Sequence, residues 1–298
     1  MKILITGATG FIGRKLVARL LPHHSLIILS RRPERARALL GSAPEFIENL
    51  DHLDDLDGID AVINLAGEPI AAGRWSEERK NLLCESRWLL TEQLADLIKL
   101  SSQPPAVMIS ASAVGWYGRQ GTSRLDESWN RPHNEFTHQL CQRWESLALE
   151  ADSSQTRVCL LRIGIVLGEG GGALPRMLPP YRLGLGGPMG SGEQMMSWIH
   201  VDDLLNIILY LLTHADCRGV FNGTAPNPVS NREFSRTLAH TLNRPHLFFV
   251  PAPLLRLVMG EASDLLLTGQ AVMPARLLEA GFHFQYPDLQ DALNDLLT

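Results

Sequence analysis

Cysteine is scarce in this 298-residue sequence, and its four occurrences, Cys84, Cys141, Cys159 and Cys217, are widely scattered. No C-x-x-C pair is present, so neither a zinc ribbon nor a disulfide framework is indicated. A chain of this length can bury a core without staples, and reduced thiols suit a cytoplasmic protein. The ten histidines show no H-x-x-x-H spacing, and no metal site is expected. Long apolar runs are missing too. The longest, residues 204–212, is interrupted by Asn206 and Tyr210 and amounts to about half a membrane span. Lys2 precedes an apolar stretch, but Gly7, Gly10 and Gly13 break it and no small-residue cleavage site follows, which argues against a secretory signal. Excess basic charge is also lacking, since 27 Lys and Arg against 32 Asp and Glu leave a net charge of -5. Neither nucleic acid nor an anionic membrane is an expected partner; a small molecule is.

What is present is ordinary globular composition, 45% hydrophobic and 20% charged, without internal repeats. Short apolar runs at 2–6, 26–29, 61–65, 107–109 and 158–161 read as buried strands. Helical patterns at 11–21, from Pro33, at 77–99 and at 133–151 fall between them. Continuous apolar strands alternating with helices predict an α/β fold, a doubly wound parallel sheet of the Rossmann type. After Gly164 the rhythm changes. Residues 168–172 and 184–192 are glycine-rich, and further helical stretches follow at 202–213, 230–242 and 288–297. We therefore expect a Rossmann domain over 1–164. A smaller, mainly C-terminal substrate lobe is expected over 165–298, with some segments returning to the first domain.

The first strand runs directly into Gly7-Ala8-Thr9-Gly10-Phe11-Ile12-Gly13 and then into a helix. The first glycine permits a tight turn, the second lets backbone N–H groups approach a pyrophosphate, and the third allows close helix–strand packing. The helix N-terminus adds free donors and a favourable dipole. At the end of the second strand an NAD site usually carries a carboxylate. Here the residues are Ser30-Arg31-Arg32-Pro33. Arginine can pair with a 2′-phosphate and serine can donate to it, so NADP is the expected cofactor.

These motifs, with Asn64-Leu65-Ala66-Gly67 and the segment from Trp198 to Leu204, resemble the extended short-chain dehydrogenase/reductase superfamily. Glu68, Arg143-Trp144-Glu145 and Gly184-Leu185-Gly186-Gly187-Pro188 make the chain similar to that superfamily's atypical "epimerase family" branch, over essentially its whole length. The resemblance implies a cofactor held by Gly7 to Gly13, by Ser30 to Arg32, and by Leu65, Ala66 and Glu68. It also implies a catalytic serine after the fifth strand, with a Tyr-x-x-x-Lys on the following helix to move the proton and hold the nicotinamide ribose.

Ser112 matches the serine best, with Ser110 as the alternative. The Tyr-x-x-x-Lys is absent from the sequence. Aligning the helix on Glu145 puts Thr137 and Cys141 in its slots, and neither offers a phenol or a cation. Tyr117, either a packing residue or a substitute acid, is one candidate for the missing role, and His138 is another. Cys141 reads as a reactive thiol or a small buried hydrophobe. Glu68 contacts the ribose or acts as a base, Arg74 reaches the cofactor phosphates or lies in solvent, and Ile165 meets the nicotinamide end or packs in the core. Asp202 or Asp203 is expected to cap the helix that begins there. The glycine-rich loops, with Arg176 and Arg182, are candidates to close over an anionic ligand. Trp88 and Trp144 fit either a core or a helix-paired homodimer. The overall expectation is an NADP(H)-dependent oxidoreductase or isomerase acting through Ser112 and Tyr117 on a small polar substrate. A non-catalytic NADP(H)-binding sensor is the alternative.

Overall fold

The computed structural model describes residues 1–297. The chain runs β1 (Lys2–Thr6), α1 (Phe11–Leu20), β2 (Ser25–Leu29), α2 (Pro33–Leu40), β3 (Glu45–Ile47), β4 (Ala61–Asn64), α3 (Glu77–Leu100), β5 (Val107–Ala113), β6 (Arg124–Leu125), α4 (Phe136–Leu149) and β7 (Arg157–Ile163). It continues through β8 (Ile165–Gly168), β9 (Gly171–Gly172), α5 (Leu174–Arg182), β10 (Met195–Met196), β11 (Trp198–His200), α6 (Val201–Thr213), β12 (Gly219–Gly223), β13 (Val229–Ser230) and α7 (Asn231–Thr241). It ends with α8 (Ala252–Met259), α9 (Asp264–Leu267), β14 (Ala271–Val272), α10 (Ala275–Glu279) and α11 (Leu289–Leu297).

Seven strands form one parallel sheet in the order β12-β7-β5-β4-β1-β2-β3. Strand alternation gives each face its own core. Ile3, Ile5, Ile28, Ile63, Ile109 and Leu161 point to the side covered by α1 and α6. Leu4, Ile27, Val62, Met108 and Leu160 point to the other side, against Leu94, Ile98 and Ala148 of α3 and α4. Each such side chain contributes about 1.5–3 kcal/mol on burial, which explains why the strands read as unbroken apolar runs.

The order reverses between β1 and β4: the chain builds outward through β2 and β3, then returns to the opposite side of β1. Ligands of open α/β sheets bind at such a switch point, at the carboxyl ends of the strands. Two sheet strands have weak sequence signals, β3 with three residues and β12 with Gly-Val-Phe-Asn-Gly. Through β12 the chain comes back to the Rossmann sheet, and α6 packs on α1 before it does so. The expected cap of α6 by Asp202 or Asp203 is corrected. His200 is the N-cap, its Nδ1 accepting the Asp202 N–H at 3.1 Å. Asp202 pairs with Arg19, and Asp203 instead accepts the Gln285 and Tyr286 N–H groups.

The glycine-rich stretches are built structure. Residues 168–172 form the β8–β9 hairpin around Phe11, where a Cβ on Gly171 would lie 2.2 Å from the ring. Residues 184–192 pack on the segment 245–250, with Met189 bridged to Val250. Arg176 and Arg182 are exposed on or at the end of α5, away from the central cavity. The two tryptophans join α3 to α4 within the chain. Trp88 Nε1 donates to Leu140 O, and buried Trp144 donates to Thr91 Oγ1.

Candidate functional site

The β1 strand ends in a loop whose shape demands glycine. Gly7 has φ +69°, and a Cβ there would come within 2.5 Å of Leu65 O. A Cβ on Gly13 would lie 2.3 Å from Gly7 O, so α1 can approach the loop this closely only with glycine at that position. Gly10 caps α1 without a side chain, which leaves the first amide N–H groups of the helix for an anion. Thr9 and Gly10 are exposed at the mouth of this cradle, while Ile12 and Phe11 are partly buried behind it. The neighbouring β4 end is locked by a buried network. Thr6 Oγ1 donates to Asn64 Oδ1 at 2.6 Å, Asn64 Nδ2 donates to Thr91 Oγ1, and the Ala66 N–H donates to Thr6 Oγ1. This backbone-lined cradle fits a dinucleotide pyrophosphate.

At the β2 end, Ser30 Oγ accepts the Arg32 N–H at 3.3 Å. The Arg31 side chain is 89% exposed and lies 3.6 Å from the Glu68 carboxylate. Glu68 is also 3.6 Å from Arg79. Ser30, Arg31 and Glu68 thus share one edge of the crevice, although they are distant in sequence. Arg74 does not join them, and its expected contact with phosphate is corrected. Its guanidinium donates to the carbonyls of Leu257 and Val258 and ties the loop before α3 to α8.

Past Leu65 and Ala66 the crevice opens into a cavity of about 400 Å³ between the Rossmann sheet and the C-terminal lobe. Ser112 and Ile165 lie on its wall, as do Thr137 and Cys141. The lobe contributes a mainly apolar side that includes Met177, Met189, Met195, Met196 and Leu266. Ser110 is fully buried within 3.4 Å of Asn64 Nδ2, so of the two candidate serines Ser112 is the one at the cavity.

Behind Ser112 lies a buried relay that sequence reasoning missed. Ser112 Oγ donates to Glu145 Oε1 at 2.6 Å, and Arg162 grips the same carboxylate through Nε and Nη2 at 2.8 and 2.7 Å. The Arg162 guanidinium stacks 3.5 Å from the centre of the Trp116 ring. An arginine inside the apolar strand Arg157–Ile163 was the available signal, because a charge in a doubly covered sheet requires a partner.

Tyr117 does not face the cavity, and the acid role expected of it is corrected. Its ring is fully buried, and its hydroxyl donates to Asn222 Oδ1 at 2.9 Å and approaches Asp126 O at 3.1 Å. Burial pushes its pKa up to about 12 despite the nearby Arg162. The glycine before Trp116 places the cavity wall directly on α4, where a Cβ on Gly115 would lie 3.1 Å from Thr137 Cβ. His138 is also structural, with Nδ1 2.6 Å from Trp116 O. Burial pushes the Cys141 thiol up to about 12, so it is a protonated apolar neighbour of Ser112. Thr137 Oγ1 donates to Glu135 Oε1 at 3.0 Å, forming a second hydroxyl–carboxylate pair at the cavity. Among the described residues no cluster of side chains could hold a metal ion, and no helix is long and apolar enough to cross a membrane.

Comparison with known proteins agrees with this geometry. The model of the NAD dependent epimerase/dehydratase family matches residues 3–222, and a domain of unknown function (DUF1731) matches 250–296. The chain is 42% identical to an epimerase family protein SDR39U1 homolog of Arabidopsis thaliana described as chloroplastic, over 100% of this chain and 87% of that one. It is 36% identical to the epimerase family protein YfhF of Bacillus subtilis, over 100% and 98%. The crystal structure of human epimerase family protein SDR39U1 with NADPH superposes with a TM-score of 0.90 at 36% identity, covering 99% of each chain. By its cradle, its sheet order and these relatives, the chain belongs to the NAD dependent epimerase/dehydratase family, among the SDR39U1-like epimerase family proteins.

Proposed function

We propose that this chain is an NADP(H)-dependent oxidoreductase or epimerase-like enzyme acting on a small carbonyl or hydroxyl compound. The observation that carries the reading is the position of Ser112, at the cavity wall beside the dinucleotide crevice and backed by the Glu145–Arg162 pair. Gly7 to Gly13 would hold the pyrophosphate, Ser30 and Arg31 the 2′-phosphate, and Leu65, Ala66 and Ile165 the path to the cavity. The SDR39U1 crystal structure with NADPH supports the choice of NADP over NAD. When bound, the dinucleotide supplies hydride exchange.

The rest of the chemistry falls to side chains. Glu145, pinned by Arg162, takes the Ser112 hydroxyl hydrogen and leaves the Ser112 lone pairs turned to other donors. Ser112 then orients a substrate hydroxyl by accepting from it. Thr137, backed by Glu135, is the second hydroxyl able to exchange hydrogen bonds with a ligand there. The substrate lobe excludes water with its methionine-rich wall.

One observation favours the second reading, a redox-sensing NADP(H) binder. The slots of the usual tyrosine and lysine hold Thr137 and a thiol that stays protonated. Fluorescence titration with NADPH and NADH, followed by NADPH consumption across a panel of carbonyl compounds, separates the two. Tenfold preference for NADPH, about 1.4 kcal/mol, that is lost in Arg31→Ala supports the cofactor assignment. Turnover that is lost in Ser112→Ala supports the enzyme. Tight binding with no turnover across the panel favours the sensor, and equal affinity for both cofactors removes the roles of Ser30 and Arg31.

A further inference from the structure

The charges around the cavity are equal in number, three cations against three carboxylates, but they are unevenly paired. Arg119 at the rim is bound to Glu135 at 2.7 Å and to Asp264 at 2.9 Å, and Glu261 is bound to Lys80 at 2.7 Å. The remaining cation on the wall is Arg87, which reaches in from α3. Its hydrogen-bond partners are neutral: Nη1 donates to Leu83 O and Ser86 Oγ, Nη2 donates to Glu68 O, and the guanidinium lies 5.3 Å from the Trp144 ring. The nearby Glu68 carboxylate is engaged by Arg31 and Arg79. Among the described residues no carboxylate lies within ion-pair distance of Arg87, and its Nε–H donates to no protein acceptor. Burial pulls its pKa down, as expected for a cation short of compensation.

Local structure keeps the guanidinium at the wall. A Cβ on Gly67 would lie 3.0 Å from Arg87 Cζ, so glycine at this position lets the cation come up beneath the β4 loop. A half-buried charge with no carboxylate partner is costly, whereas the same charge facing an anion forms a strong charge-assisted hydrogen bond. Opposite it the lobe presents Met177, Met189, Met195 and Met196, adaptable apolar surface. A ligand that satisfies both sides has one anionic end and an apolar body.

We propose that Arg87 anchors the carboxylate of an otherwise apolar acid in this cavity, and that the substrate class is therefore an apolar carboxylic acid bearing a carbonyl or hydroxyl group. This rests on the cavity being the substrate site of an NADP(H)-dependent enzyme. It narrows the expectation of a polar substrate to a substrate polar at one end.

The test uses the whole protein with NADPH added. 4-Methylpentanoate and its neutral amide, 4-methylpentanamide, are titrated in turn and followed by calorimetry and by bound-NADPH fluorescence. The acid is expected to bind at least tenfold more tightly than the amide. Arg87→Ala should abolish the difference and Arg87→Lys restore part of it, while NADPH affinity stays within twofold of wild type. Equal affinity for acid and amide in the wild type overturns the proposal. So does a discrimination that survives Arg87→Ala, or a fall in NADPH affinity without discrimination, which would assign Arg87 to the cofactor. Arg87→Lys carries the test where Arg87→Ala fails to fold. Repeating both titrations without NADPH separates failure of the cofactor reading from failure of the anchor, since an acid preference persists there if Arg87 alone makes it.

Discussion

Arg162 holds Glu145 by two nearly parallel hydrogen bonds, Nε to Oε1 at 2.8 Å and Nη2 to Oε2 at 2.7 Å, and both side chains are buried. The pair joins β7 to α4 across the end of β5, directly behind Ser112. Its geometry is the fork-on-carboxylate arrangement that lysine cannot reproduce. The pair thereby fixes both the carboxylate and the serine hydroxyl that donates to it.

Removing one partner should cost far more than removing both. Glu145→Leu leaves a buried guanidinium and should destabilise the fold by about 3–5 kcal/mol, and Arg162→Met should do the same to the carboxylate. The double variant should recover most of that loss, because two apolar side chains leave no orphan charge. Denaturant midpoints of the four proteins measure the coupling. Additive losses would mean that the pair does not act as a unit.

The glycines of the cradle should separate folding from binding. Gly13→Ala drives a methyl to 2.3 Å from Gly7 O and 2.6 Å from Ala8 Cα, and backbone cannot swing aside. A loss of about 1–3 kcal/mol in stability is expected, with NADPH affinity falling as well. At Gly10 the nearest atom to an added Cβ is Gly7 O at 3.1 Å, a tight contact but a far milder one, so Gly10→Ala should cost less stability than Gly13→Ala. NADPH affinity should nevertheless fall about tenfold, because the methyl occupies the phosphate approach. Thermal melts with NADPH titrations check both, and unchanged binding in Gly10→Ala would remove the pyrophosphate from this loop.

The cradle and the sheet were legible in the sequence because each depends on local chemistry. A β-branched strand, three glycines and a helix sit within twenty residues, and parallel strands buried on both faces read as apolar runs. The short strands β3 and β12 were not legible, since three residues or a Gly-Val-Phe-Asn-Gly segment carry too little pattern. Ser112 was found from its place at a strand end. Tyr117, only five residues on, was misplaced because the short helical turn after β5 swings its ring inward to Asn222. Glu145, Arg162 and Arg87 come from three different elements, and no spacing along the chain relates them. Glu145 stood out only as part of a family motif, and an arginine inside an apolar strand was the clue that a buried partner was needed.

Tyr117→Phe should behave as a packing variant. The lost hydroxyl leaves Asn222 Oδ1 without its donor, a cost of about 1–3 kcal/mol. NADPH affinity, and any turnover found in the carbonyl panel, should stay within twofold of wild type. A turnover loss of a hundredfold at unchanged stability would return Tyr117 to the chemistry.

The cap of α6 gives the fold a pH dependence whose sign can be worked out. His200 is 1% exposed, and its Nδ1 must stay unprotonated to accept the Asp202 N–H. The other ring nitrogen, Nε2, then carries the hydrogen, 3.3 Å from Asp295 Oδ2. Burial lowers the folded-state pKa below its usual 6.5, outweighing the nearby Asp202, Asp295 and Asp203 carboxylates, which act to raise it. The unfolded chain therefore binds the proton first, so the contribution of His200 is fully present above about pH 6.5 and declines as pH falls through the folded value. His200→Asn retains a capping oxygen but cannot titrate. Chemical denaturation of both proteins between about pH 7.5 and pH 5 should show the wild type losing stability faster on acidification than the variant. His24 and His246, whose pKa values are also lowered by burial, are common to both proteins, so the difference isolates His200. Parallel curves would show that the cap does not depend on the imidazole's protonation state.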